Sequence, residues 1–230
     1  MKRRIRIHGF LIFLSVATFI LLSKFFYPHW HHEGPDEVFD AIGIAVVLFG
    51  FLFRIAARGY KAEMSPRGNV LITDGTYGLI RHPMYFGTLL IGLGITLVLF
   101  KLWVFFLFLI IFLLIYIPQV RKEENSLYRR FGDEYANYFA STPKYFPDIR
   151  RLLTANLKKY VFIKRFGLKK EIFSLIGVIA GIMAIEIWED VQLFGYQELT
   201  KEFLELFVIV VCFSVTFLLL YEKEHISTTS

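Results

Sequence analysis

An all-α fold, a polytopic transmembrane helical bundle of about six spans, is what this sequence predicts. Three observations predict it. The 230 residues are 56% hydrophobic and 18% aromatic, above the apolar share usual in soluble domains. Apolar runs near the length needed to cross a bilayer recur at 9–27, 38–57, 86–100, 102–117, 172–188 and 203–221. Charge then alternates between the connections. Lys2, Arg3, Arg4 and Arg6, the 54–82 stretch and the 121–170 stretch are basic. Glu33, Asp36, Glu37 and Asp40, and later Glu186, Glu189, Asp190, Glu198, Glu202 and Glu205, are acidic. With six spans the positive-inside rule places both termini in the cytoplasm of a multi-pass integral membrane protein, in the inner membrane if the source is bacterial. The net charge of +6 then follows from topology and contact with anionic headgroups, and no nucleic-acid partner is expected.

The first run follows a basic start, as a signal peptide would. Its length, and the absence of a small-x-small cleavage site after Ser23-Lys24-Phe25-Phe26, favour an uncleaved helix with Lys24 snorkelling to the far interface. His29, His31 and His32, with Glu33 close by, have the composition of a metal site. They fall in the extracytoplasmic connection and read as a polar interfacial loop anchored by Trp30, so no metal site is expected. After the second run, residues 58–80 form a cytoplasmic connection. It is punctuated by Pro66, Gly68, Asn69 and Asp74-Gly75, with 70–73 as a short extended piece. Only Lys101 separates the third and fourth runs, which makes them a tight helical hairpin.

Val120, Glu124, Leu127, Phe131 and Tyr135 then recur at helical spacing. Gly132 ends or bends that helix, and Asp133 can cap the next turn. "STPKYFPD" (141–148) is a proline-punctuated aromatic loop. Residues 149–170 are basic and amphipathic and fit the membrane face. In the fifth run Ser174, Gly177, Gly181 and Ala184 share one face, a small-residue pattern that packs helices within a chain or joins copies into a homo-oligomer. Cys212 is the only cysteine. It forms no disulfide within the chain, contributes to no cysteine metal site, and reads as a small buried residue. The chain divides into 1–37 (first helix and loop), 38–148 (a core with the hairpin) and 149–230 (interfacial segment and two further helices).

Chemistry concentrates in "GLIRHPMYFG" (78–87). A residue before proline avoids the helical region, and proline suits the first helical position. The third span therefore begins at Pro83, with Arg81 and His82 just outside it. Open N–H groups of that first turn, together with Arg81 and His82, make an anion site for a carboxylate or phosphate. Tyr85 follows at the interface. Glu123-Glu124 stand at the end of the fourth run. If the helix stops there, its dipole opposes them and a cation must compensate; Arg121 and Lys122 are the nearest. The hairpin brings Arg81-His82 and Glu123-Glu124 to the same end. An anion site beside a cation site, at the mouth of an apolar bundle, suits a zwitterionic amino-acid headgroup.

The ordered set Arg81, His82, Pro83, Tyr85, Gly87, Glu123, Glu124, Leu127, Phe131, Gly132, Tyr135 and Pro147 resembles the isoprenylcysteine carboxyl methyltransferase and phospholipid methyltransferase superfamily over roughly residues 40–148. That resemblance implies S-adenosylmethionine as methyl donor and a lipophilic small-molecule or lipidated acceptor drawn from the bilayer. It implies His82, Pro83, Tyr85, Glu124, Tyr135, Tyr145 and Pro147 as cofactor-binding residues, with His82 at the cofactor carboxylate and Glu124 at its ammonium. Arg81 and Glu123 are the catalytic candidates, Arg81 orienting the acceptor. The acceptor is a carboxylate, as in the prenylcysteine enzymes, or an amine, as in the phospholipid enzymes; Arg81 favours the anion. Gly92-x-Gly94 lies in an apolar run with no strand before it, so it reads as helix packing and not as a dinucleotide fingerprint. Two other readings remain: a sterol-type membrane reductase using a reduced nicotinamide, which carries a similar Arg-His-Pro-x-Tyr stretch nearer its C-terminal end, and a non-catalytic scaffold assembled through the fifth run.

Overall fold

The computed structural model describes residues 35–148 and 163–194, and among them every regular element is helical. The apolar runs at 9–27 and 203–221, the histidines at 29–32, Cys212 and most of the 149–170 segment lie outside the described residues.

Helix α1 spans Pro35–Met64. Proline at the start, two acids in the first turn and a lysine in the last are the residue types that helix ends favour. It runs past residue 57, where a loop was expected, because residues 58–64 contain strong helix formers. Pro66 stops it. Ser65 closes the end: its N–H donates to the Lys61 carbonyl, and its hydroxyl both donates to the Val70 carbonyl and accepts from the Val70 N–H. Residues 70–73 form no strand. A short 3-10 turn follows at Gly75–Gly78.

Helix α2 spans Pro83–Leu99 and begins at the proline, with His82 as its N-cap residue. Helix α3 spans Leu102–Ser141. It does not stop at Glu123-Glu124, so the opposing dipole expected there does not arise. At Gly132 the backbone leaves the helical region (φ 53, ψ −125), and the remaining two turns set off in a new direction. Helix α4 spans Arg165–Phe194. Helices α1 and α3 are each long and apolar enough to cross a membrane; α2 is apolar but shorter.

Glycines decide how α1 and α2 pack. A Cβ on Gly87 would lie 2.6 Å from the Gly50 carbonyl oxygen, and one on Gly50 would lie 2.7 Å from that of Gly87. Two turns along, Gly94 and Gly43 repeat the arrangement at 2.5 and 3.0 Å. The helices are antiparallel with their backbones nearly touching, the packing that small residues permit in apolar helices. Gly94 thus serves helix packing, and Gly92 faces the Phe108 ring of α3.

The chain divides into two compact units after Ile176. The first three turns of α4 belong to the first unit and run along α1. Lys164 pairs with Glu63, Gly167 abuts Gly59, and Glu171 meets Arg54 and Arg58. In the second unit, a Cβ at Gly177 or Gly181 has no neighbour within 4 Å among the described residues.

Candidate active site

The loop before α2 is sewn to the loop after α3. The Tyr138 hydroxyl donates to the Tyr77 carbonyl at 2.7 Å. The Arg81 N–H donates to the Pro143 carbonyl at 2.9 Å, and the Asp148 N–H to that of Leu79 at 3.0 Å. Leu79 and Ile80 are fully buried beneath. These bonds pin 77–82, from the end of the 3-10 turn to the start of the helix at Pro83, where the Phe86 N–H donates to the His82 carbonyl at 3.1 Å. The Tyr77 phenol is pushed above its ordinary pKa, first by burial and then by the Glu123 carboxylate, so it stays neutral.

Arg81, His82, Glu123 and Glu124 meet at this seam. Oε1 of Glu124 lies 2.8 Å from Nη1 of Arg81 and 3.4 Å from Nε2 of His82. Its other oxygen accepts a 2.5 Å bond from Nζ of Lys144. Arg81, His82 and Glu124 are all buried. Nδ1 of His82 sits 3.6 Å from Oε2 of Glu123, whose side chain is 37% exposed. The imidazole is thus bracketed by two carboxylates, one at each nitrogen. The cations that compensate Glu124 are Arg81 and Lys144, with the His82 ring beside them; Arg121 and Lys122 are exposed. Lys144, inside the "STPKYFPD" loop, carried no signal beyond its charge.

Aromatic rings line the cluster. The Arg81 guanidinium lies 4.0 Å above the Phe139 ring, a cation–π contact. Tyr85 stacks on His82 with ring centres 5.8 Å apart, donates a hydrogen bond to Glu123 and accepts one from Gln119. Tyr116 and Phe112 continue this ladder along α3. Tyr135 is 1% exposed and lies beside Arg81. Tyr145 is well exposed, with the Lys144 ammonium 5.2 Å from its ring centre, and Pro147 is half-buried. The structure therefore gathers Arg81, His82, Pro83, Tyr85, Glu123, Glu124 and Tyr135 at one place, with Tyr145 and Pro147 on the flanking loop.

Some polar atoms in this cluster are not satisfied. Nε and Nη1 of Arg81 and the hydroxyl of Tyr135 beside it are buried without an aligned hydrogen-bond partner. The 2.8 Å Arg81–Glu124 approach is an ion pair by distance, but its N–H does not point along the line between the atoms. Buried polar groups are normally bonded. Their concentration here marks a place able to receive a polar ligand.

A family model described as "Protein of unknown function (DUF1295)" matches residues 2–142, which include Arg81, His82, Glu123, Glu124 and Tyr135 but not Lys144, Tyr145 or Pro147. The chain belongs to the DUF1295 family. This DUF1295 chain is 30% identical over 141 residues to the cobalt-zinc-cadmium resistance protein CzcN of Cupriavidus metallidurans, covering 61% of this chain and 64% of that one. It is 31% identical over 86 residues to the protein-S-isoprenylcysteine O-methyltransferase of Schizosaccharomyces pombe, covering 37% of this chain and 36% of that one. The matched stretches thus span less than two thirds of either relative. No solved structure matches the chain.

Proposed function

We propose that this protein is an integral membrane methyltransferase that carries a methyl group from S-adenosylmethionine to a lipophilic acceptor at the cytoplasmic face, through a bundle of about six spans. The observation that carries this reading is the bracketing of His82 by Glu123 and Glu124 beside Arg81 and Lys144, at the mouth of helices able to cross a membrane. The partial similarity to an isoprenylcysteine methyltransferase supports it.

The residues present fit that cofactor. Its amino-acid end is a carboxylate and an ammonium, and this cluster offers cations and carboxylates together, with unsatisfied Arg81 N–H groups among them. Glu124 is enclosed by Arg81, His82 and Lys144, so it serves as the internal counter-ion that sets their positions. Glu123 faces His82 and Tyr85, with Lys61 further off, and is the more exposed acid; the ammonium falls to it. His82, Arg81 and the open N–H groups at the start of α2 take the carboxylate. Tyr145 and Phe146, both exposed, cover the base. When bound, the cofactor supplies an electrophilic methyl group on a sulfonium. The chain's own task is alignment and exclusion of water. Arg81, flat on Phe139, draws an anionic acceptor headgroup toward the cluster, while the aromatic ladder of Tyr85, Tyr116 and Phe112 lies along the apolar helices where a lipid tail would run.

Calorimetry of S-adenosylhomocysteine with the detergent-purified full chain tests this. Micromolar binding is expected, weakened at least tenfold, about 1.4 kcal/mol, in both Glu123→Gln and His82→Ala. A folded parent that ignores this ligand and binds a reduced nicotinamide nucleotide would replace the methyltransferase with a reductase.

A further inference from the structure

A second buried charge cluster joins α4 and α1 to α2. Glu171 is 1% exposed, yet it is ionically bound to two arginines. Arg54 grips it with both arms of its fork, Nε and Nη2 each 3.1 Å from a carboxylate oxygen, and Nε of Arg58 adds a contact at 2.9 Å. The remaining arm of Arg54 donates to the Thr88 hydroxyl at 2.6 Å. That hydroxyl in turn donates to the Met84 carbonyl at 2.9 Å. A continuous polar chain therefore runs from α4, through α1, to the first two turns of α2. Those turns begin at the His82 carbonyl and carry Pro83 and Tyr85.

Gly87 completes the arrangement. A Cβ there would lie 2.7 Å from Cγ of Arg54, so the arginine stem crosses α2 where glycine leaves room for it. An arginine inside an apolar helix costs desolvation unless it is paired, and Arg54 has both partners it needs. Glu171 lies beyond the residues matched by the family model, which end at 142, whereas Arg54, Gly87 and Thr88 lie within them.

We infer that Glu171 is a positioning residue for the candidate site: acting through Arg54 and Thr88, it fixes the 82–88 turn so that His82 and the open N–H groups face Glu123 and Glu124. This rests on the cofactor reading above for its consequence, though not for its geometry. The Glu171 carboxylate holds the guanidinium in one orientation, so the third arm reaches Thr88 without rotamer freedom. Neutralising Glu171 frees the fork and loosens the turn.

The test uses the full chain in detergent, with Glu171→Gln, Thr88→Val, the double variant and Thr88→Ser, each checked for an intact monodisperse fold. Hydrogen exchange of the 84–88 amides is read first. Faster exchange in Glu171→Gln and Thr88→Val, and parent-like exchange in Thr88→Ser, is expected; unchanged exchange in Glu171→Gln overturns the inference. S-adenosylhomocysteine affinity is read second. Each single variant should bind about five- to tenfold more weakly, with the double no weaker than the poorer single, the non-additivity of one shared chain. Additive losses, or faster exchange with unchanged affinity, also overturn it. If the parent binds no S-adenosylhomocysteine, the cofactor reading fails, and the exchange pattern alone decides whether Glu171 orders the turn.

Discussion

Nη1 of Arg81 and Oε1 of Glu124 lie 2.8 Å apart, although one precedes α2 and the other sits halfway along α3. Both are buried, so each is the other's condition for being there. Removing the carboxylate strands Arg81 and Lys144 as neighbouring cations and leaves His82 without its partner. Glu124→Gln should therefore destabilise the protein by about 3 kcal/mol, seen as a clear fall in the thermal midpoint in detergent, and should abolish ligand binding. Glu123 is partly solvated and has fewer partners. Glu123→Gln should cost less than about 1 kcal/mol while still weakening S-adenosylhomocysteine at least tenfold. If both variants melt alike, Glu124 is not the internal counter-ion.

The reciprocal contacts of Gly50 with Gly87 and of Gly43 with Gly94 leave no room for a methyl group. Gly94→Ala should push α1 and α2 apart at a cost of about 2 kcal/mol. Gly87→Ala should cost as much and also displace Arg54, so its effect on ligand affinity should exceed that of Gly94→Ala at equal stability loss. Thermal melts paired with calorimetry separate the two effects.

At Gly132 space is not the constraint, since nothing lies within 4 Å of a Cβ there. The constraint is the backbone, at φ 53 and ψ −125, a combination that side chains with a Cβ avoid. Gly132→Ala should lose about 1–3 kcal/mol by straightening α3. It should also pull Tyr135, Tyr138 and the 142–148 loop away from Arg81. Faster proteolysis within 133–148 is the expected reading; an unchanged pattern would mean the bend is tolerated by other residues.

Tyr138 joins the two loops through one hydroxyl. Tyr138→Phe keeps the ring but removes the 2.7 Å bond to the Tyr77 carbonyl. A loss of about 1–2 kcal/mol follows, with faster amide exchange at Leu79, Arg81 and Asp148 and little change in the α1–α2 contact.

Much of the helical layout was legible in local pattern. The start of α2 at Pro83 and the break at Gly132 each follow from one residue's backbone restriction, which neighbours cannot override, and the hairpin turn follows from the single charge, Lys101, between two apolar runs. The helix bounds set by composition were less legible. Helix α1 runs to Met64 and α3 runs through Glu123-Glu124 because charged residues such as Arg, Lys and Glu are good helix formers, and a change from apolar to polar marks a boundary of environment rather than of conformation. Arg54 was a visible signal, a lone cation within the apolar run 38–57, but its partner was not visible, since Glu171 lies 117 positions away.

The sequence by itself determined that this chain is helical and apolar, where α2 begins, and which four charged residues, Arg81, His82, Glu123 and Glu124, would stand at the ends of a hairpin. These are consequences of periodicity, hydropathy and proline and glycine geometry, all local in range. Only the tertiary structure decided that Lys144 completes the cluster, that Glu124 is enclosed while Glu123 is open, that glycines on two helices touch in pairs, and that Glu171 reaches α2 through Arg54. Those relations depend on how distant segments approach one another, and the energy of a buried charge depends on every partner around it rather than on its place in the chain.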